Sequence, residues 1–126
     1  MQNTPRSTIL VISASWQTRA LLAAQIGEQA NQDVVSAADI DQALSLIKLA
    51  GVDPALLVVD AGQKITGKDL QRLMEAKPDV PMVLVASRFR RRAFERLRGR
   101  SAAYLERPVS VGTIARIAGQ TLEESA

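Results

Sequence analysis

The chain has 126 residues, enough for one domain with a real core, and its 47% hydrophobic and 23% charged residues are ordinary for a soluble globular protein. It contains no Cys and no His, which removes disulfides, thiolate chemistry, histidine-based triads and ordinary zinc sites. The net charge of +3 is uneven: residues 88–107 hold eight arginines against Glu95 and Glu106, a net of +6, so the remainder is −3.

Residues 1–7 read as a disordered lead-in with no apolar signal core, which predicts a cytoplasmic protein. No apolar run approaches the ~18 residues of a membrane helix. Thr8–Ile12 is an apolar, β-branched run and the first predicted strand. Ser13 or Ser15 then caps a helix from about Trp16 to Glu28, with Ala20, Leu21, Ala24 and Gly27 on its apolar face and Leu22 and Ile26 widening it. Asp33–Ala37 is a short second strand. Asp39 caps the next helix, whose Ile40, Ala43, Leu44, Ile47 and Ala50 repeat at helical spacing until Gly51 stops it.

Ala55–Asp60 reads ALLVVD, an apolar run bounded by Asp53-Pro54 and Ala61-Gly62. Such a run describes a strand buried on both faces, with Leu57 and Val58 central in the core. Its single carboxylate, Asp60, falls at the carboxyl end of a strand, where open parallel sheets place their chemistry. An Asp there can equally open a turn. Lys68–Ala76 is the third helix, ended by Pro78, and Pro81–Ala86 the fourth strand. Ser87 caps a fourth helix reaching Gly99, with Phe89, Ala93, Phe94 and Leu97 on one side and Arg91, Arg92, Arg96 and Arg98 mostly on the other. Ala102–Leu105 and Val109–Thr121 complete five strands alternating with five helices, one α/β domain over 8–122 with a tail at 123–126. Alternation with short connections implies right-handed crossovers and a parallel sheet covered by helices on both faces.

Nucleotide chemistry lacks its signals. Ser13–Thr18 contains no Gly, and no GxxxxGK[ST] occurs. The SASWQT stretch is similar to the flavodoxin phosphate loop, but Trp16 stands where that family has Gly, and its hydroxyls serve as helix caps instead.

The run ILVI, the strand LLVVD, the strand PMVLVA and the YLERP before the last helix resemble the receiver domain of bacterial two-component response regulators, over roughly Thr8 to Leu122. The resemblance implies a flavodoxin-like (βα)5 doubly wound sheet, strand order 2-1-3-4-5, with Asp60 as phosphoacceptor for a histidine kinase. The rest of the kit departs from the family. Its two Mg2+-holding carboxylates fall on Ser13 and Ala14, its switch hydroxyl on Ala86 with Ser87 adjacent, and its Lys on Arg107, followed by Pro108, before which the family's peptide bond is cis. Mg2+ binds through one or two carboxylates plus phosphate oxygens, and Arg keeps a charge without the compact ammonium geometry. The loop AGQKITG also lacks the usual Pro and Asp and is about one residue short.

These departures all weaken one chemistry, so the expectation is a degenerate receiver: no catalysis, no metal, no cofactor, with Asp60 vestigial. In the family the fourth helix, last strand and last helix form the dimerisation and output face. Here that face carries Arg91, Arg92, Arg96, Arg98 and Tyr104, which aligns with the switch aromatic or packs as core with its hydroxyl at the rim. The expected partner is a protein with an acidic surface, or a second copy in a homodimer, with no membrane involved. Nucleic acid is not expected, because the run lies on one helix without interleaved exposed aromatics. A working receiver phosphorylated on Asp60 with Mg2+, and a nucleic-acid-binding module using the Arg-rich helix, remain the alternatives.

Overall fold

The computed structural model describes residues 7–30, 32–62 and 64–125; all of the expected lead-in except Ser7 lies outside them. Strands β1 (Thr8–Ser13), β2 (Asp33–Ala37), β3 (Pro54–Ala61), β4 (Met82–Ser87) and β5 (Ala103–Arg107) form one parallel sheet in the order β2-β1-β3-β4-β5. Helices α1 (Trp16–Ala30), α2 (Ile40–Lys48), α3 (Gly67–Ala76), α4 (Glu95–Arg98) and α5 (Val111–Ser125) follow the strands in turn. The doubly wound fold expected from the sequence is the fold observed. Residues 123–125, expected as tail, continue the last helix. Among the described residues no helix is long and apolar enough to cross a membrane.

The two-residue period of a strand sorts the core into two layers. Leu10, Ile12, Leu57, Val59, Met82 and Leu84 join Ile40, Ala43 and Leu44 of α2, Leu70 and Leu73 of α3, and Phe94 and Leu97. On the other face Ile9, Val11, Leu56, Val58, Val83 and Val85 meet Leu22 and Ile26 of α1 and Ile114, Ala115 and Ala118 of α5. Central strands buried on both faces explain why ALLVVD and PMVLVA are continuous runs rather than alternating ones.

Local signals fix the helix ends. The Asp39 side chain accepts from the Gln42 N–H at 2.7 Å, a cap that contributes about 1 kcal/mol. After Leu49 the chain turns out through Gly51, whose φ of 72° is open to glycine at little cost. α3 opens on a reciprocal capping box, Thr66 accepting from the Asp69 N–H while Asp69 accepts from the Thr66 N–H, both at 3.1 Å. That backbone hydrogen bond is the main reason the Asp69 carboxyl lies below its ordinary value.

Two helical expectations are corrected. In α1 the buried pair is Leu22 and Ile26, while Ala20, Leu21 and Ala24 face solvent. Leu22 and Ile26 lie about 40° apart around a helix, whereas Leu21 and Ile26 lie about 140° apart, so only the first pair can be buried together. The fourth helix is also not continuous from Ser87 to Gly99. A 3-10 turn at Arg88–Arg90 leads through further turns to the single α-helical turn of α4. A continuous helix would stack Arg88, Arg92 and Arg96 at successive i,i+4 positions, a repulsive arrangement. The irregular path bends Arg90 down to the carbonyls of Gly62 and Ile65. It also turns Phe89 out to 85% exposure and leaves Ala93 exposed, while Phe94 and Leu97 stay buried as expected.

Leu57 has no exposed surface and sits on the central strand between β1 and β4. Leu57→Ala is expected to cost about 2–5 kcal/mol in urea unfolding; a loss under about 1 kcal/mol would contradict its place in the core.

Candidate functional site

The register brings three side chains to one corner of the sheet. Ser13 pairs directly with Asp60 across β1 and β3. Both extend the series that faces α1 and α5: Ile9, Val11, Ser13 on one strand and Leu56, Val58, Asp60 on the other. Ala103 and Leu105 face the same way, which puts Arg107 on that face two strands from Asp60. Its long side chain crosses β4 to reach the carboxylate.

Both carboxylate oxygens of Asp60 are engaged. The Ser13 hydroxyl donates to Oδ2 at 2.9 Å, and the Arg107 guanidinium donates to Oδ1 in a short ion pair. Asp60 is 7% exposed and Ser13 fully buried, while the Arg107 side chain is 40% exposed. Charge-assisted hydrogen bonds of this kind are the strong ones, although solvent around Arg107 screens part of the attraction. Two further arginines, absent from the sequence expectations, brace the same end of the sheet. Arg19 donates to the Ser13 carbonyl at 2.8 Å. Arg90 donates to the Gly62 carbonyl at 2.9 Å and the Ile65 carbonyl at 2.5 Å, with its guanidinium 4.6 Å from the centre of the Phe94 ring. Nothing in the sequence distinguishes Arg90 from its neighbours, since its role follows from the broken helix.

The remaining pocket positions do not converge on Asp60 in the same way. Ala14 is exposed. Ala86 is buried opposite Ala61 and offers a methyl group. The Ser87 hydroxyl accepts from the Phe89 N–H at 3.1 Å and so caps the 3-10 turn. Pro108 is exposed beyond a cis peptide.

The donor chemistry does not suit Mg2+. Ser13 and Ala14 stand where the resemblance calls for carboxylates, and a guanidinium already holds Asp60. Among the described residues no group of three or more His, Cys, Asp or Glu side chains could hold a metal ion.

The arginines of the predicted interaction face fall into two sets. Arg91 forms a fork with Glu106, Nε and Nη2 donating at 2.7 and 2.8 Å. These hydrogen bonds, opposed by some burial, lower the Glu106 carboxyl from its ordinary value and raise Arg91. The Arg98 guanidinium lies 5.3 Å from the centre of the Tyr104 ring. Arg92 and Arg96 are exposed and make no side-chain hydrogen bond or ion pair among the described residues. Tyr104 is less a surface residue than expected: its half-buried ring packs against the core between α2, α3 and the sheet. Its hydroxyl is buried without a hydrogen-bond partner, and burial raises its pKa.

No family model matches the chain, and no curated protein matches it in sequence. Solved structures do match. The receiver domain of NtrX from Brucella abortus is 22% identical with a TM-score of 0.74, covering 91% of this chain and 98% of that one. The receiver domain of the Francisella response regulator 1452 is 18% identical with a TM-score of 0.77, covering 96% and 100%. A CheY-like response regulator receiver domain protein from Methanospirillum hungatei is 20% identical with a TM-score of 0.76, covering 96% and 97%. Against a longer structure of NtrX in complex with ATP, 23% identical with a TM-score of 0.76, 96% of this chain matches 28% of that one. The fold is that of a response-regulator receiver domain.

Two outcomes follow from the β5 contacts. Removing the unpartnered hydroxyl by Tyr104→Phe is expected to leave stability unchanged or raise it by up to about 1 kcal/mol; a clear loss would mean the hydroxyl is hydrogen-bonded. Glu106 titrates below its unfolded value, so its contribution is present above that value and is lost as pH falls through the folded one. Thermal melts of Glu106→Gln should therefore lose less stability than the parent between pH 6 and pH 3, two settings chosen to bracket the ordinary carboxylate range of about 4.

Proposed function

We propose that this chain is a cytoplasmic, non-catalytic signalling module of receiver type that acts through protein–protein interaction, independently of phosphorylation and Mg2+. The observation that carries the reading is the closed Asp60 site. A guanidinium and a hydroxyl engage both oxygens where a working receiver would keep a nucleophile and a metal. A buried carboxylate held in this way is structural, because breaking one partner of such a pair leaves the other unanswered. Function then rests on the surface, where the segment from Arg88 to Arg107 concentrates the positive charge of a chain otherwise net acidic. Such a field speeds and orients encounter with an acidic protein, or with the acidic surface of a second copy through the α4–β5–α5 face.

The test is incubation with Mg2+ and beryllofluoride, followed by amide spectra. The expected result is no shift around Asp60 and no change in the face of α4 and β5, together with an Asp60→Asn variant that melts earlier than the parent yet keeps its signalling activity in cells at temperatures where it is folded. Spectral changes at sub-millimolar Mg2+, taken as roughly the range in which a competent carboxylate site fills, would instead promote the alternative of a receiver phosphorylated on Asp60.

A further inference from the structure

The expectation of an Arg run without exposed aromatics fails at one residue. Phe89 is 85% exposed, and its position is built rather than frayed. The Ser87 hydroxyl holds the Phe89 N–H, and the Arg91 N–H closes the 3-10 turn on the Arg88 carbonyl at 3.2 Å. The Arg88 guanidinium sits 5.3 Å from the centre of the ring. Arg88 and Phe89 thus form a ridge with a cleft on each side. One cleft, of about 610 Å3, is closed by Arg107, Pro108 and Val109. The other, of about 340 Å3, is walled by Arg92 and Glu95 among other residues of the Arg segment.

We propose that this ridge is the anchor of a docking site for an acidic protein segment carrying a bulky apolar side chain. The inference rests on the reading of the chain as an interaction module and names the chemistry of its partner. The apolar side chain would lie against Phe89 in the hollow floored by Pro108 and Val109. Carboxylates on either side of it would pair with Arg88 and Arg92, neither of which forms an ion pair among the described residues; Glu106 is taken up by its fork with Arg91 and feels Arg88 through its charge alone. Arginine and large aromatics are the residue types that dominate interface energies, particularly when water is excluded around them. A single-stranded nucleic acid fits less well. It would need successive ring platforms, yet Phe94 is buried, Tyr104 lies beneath Arg98, and Trp16 stands on α1 across the sheet. The net acidic remainder of the chain would also repel a long polyanion.

The test is fluorescence anisotropy of the full chain with a short labelled peptide of glutamates around one leucine. The same peptide with serine for leucine, and an oligothymidylate, serve as comparators. The leucine peptide is expected to bind. Leu→Ser in the peptide, or Phe89→Ala in the protein, should each weaken binding about tenfold, the effect of losing one apolar anchor, while leaving its salt dependence intact. Arg88→Ala with Arg92→Ala should weaken binding and flatten the salt dependence. These side chains are exposed, so thermal melts of the variants should match the parent. Equal binding of both peptides, indifference to Phe89→Ala, or no binding of the leucine peptide overturns the proposal. Tighter binding of oligothymidylate assigns the face to nucleic acid instead, and a dimer dissolved by Phe89→Ala in sedimentation assigns it to a second copy. A beryllofluoride response at Asp60 would overturn phosphorylation independence without touching this result.

Discussion

The ion pair between Asp60 and Arg107 sets the chemistry of the carboxyl end of the sheet. A carboxylate at the end of a strand buried on both faces has lost most of its water, and the cost is severe unless a charge and hydrogen bonds replace it. Here the replacement comes from the protein itself: Arg107 on one oxygen and Ser13 on the other. The positions that could have supplied further carboxylates are a buried serine and an exposed alanine. One carboxylate and one guanidinium make a formally neutral pair at this corner of the sheet.

The surrounding arginines are alike in sequence and unlike in role. Arg19 and Arg90 hold backbone carbonyls at the end of β1 and in the loop after β3. Arg91 is neutralised by Glu106, and Arg98 lies over Tyr104. This division explains how so dense a run of like charge is tolerated. Several of its members are compensated locally, and the turn-rich path keeps the others from stacking along a single helix.

Much of the fold was legible because it depends on period and punctuation. Continuous β-branched runs, Asp39 before a helical repeat and Gly51 after it are local signals, and the structure obeys them. The capping box at Thr66 and Asp69 was equally local, and the helix start at Lys68 simply overlooked it. Asp60, Ser13 and Arg107 were legible as positions through the receiver resemblance. Their bonding to one another was not, because it depends on register across three strands. The broken fourth helix was the main failure. Its apolar spacing favoured a continuous helix, but spacing carries no term for repulsion among nearby arginines or for the pull of the Gly62 and Ile65 carbonyls on Arg90. Phe89 was placed on the apolar side of that helix for the same reason.

β5 connects the pocket to the surface. Alternate residues of this strand face opposite layers, so Arg107 turns toward Asp60 while Tyr104 and Glu106 turn toward the Arg segment. Arg107 holds Asp60 from one side of the strand, and Glu106 and Tyr104 stand on the other. Those two residues in turn engage Arg91 and Arg98. Arg88, Arg92, Arg96 and Arg100 are left exposed and outside any ion pair among the described residues, with Glu106 feeling the charge of Arg88 at longer range. The same strand therefore carries both the partner of Asp60 and the partners of two arginines of the exposed segment. Side chains held by such contacts before a partner arrives have less freedom left to lose on binding.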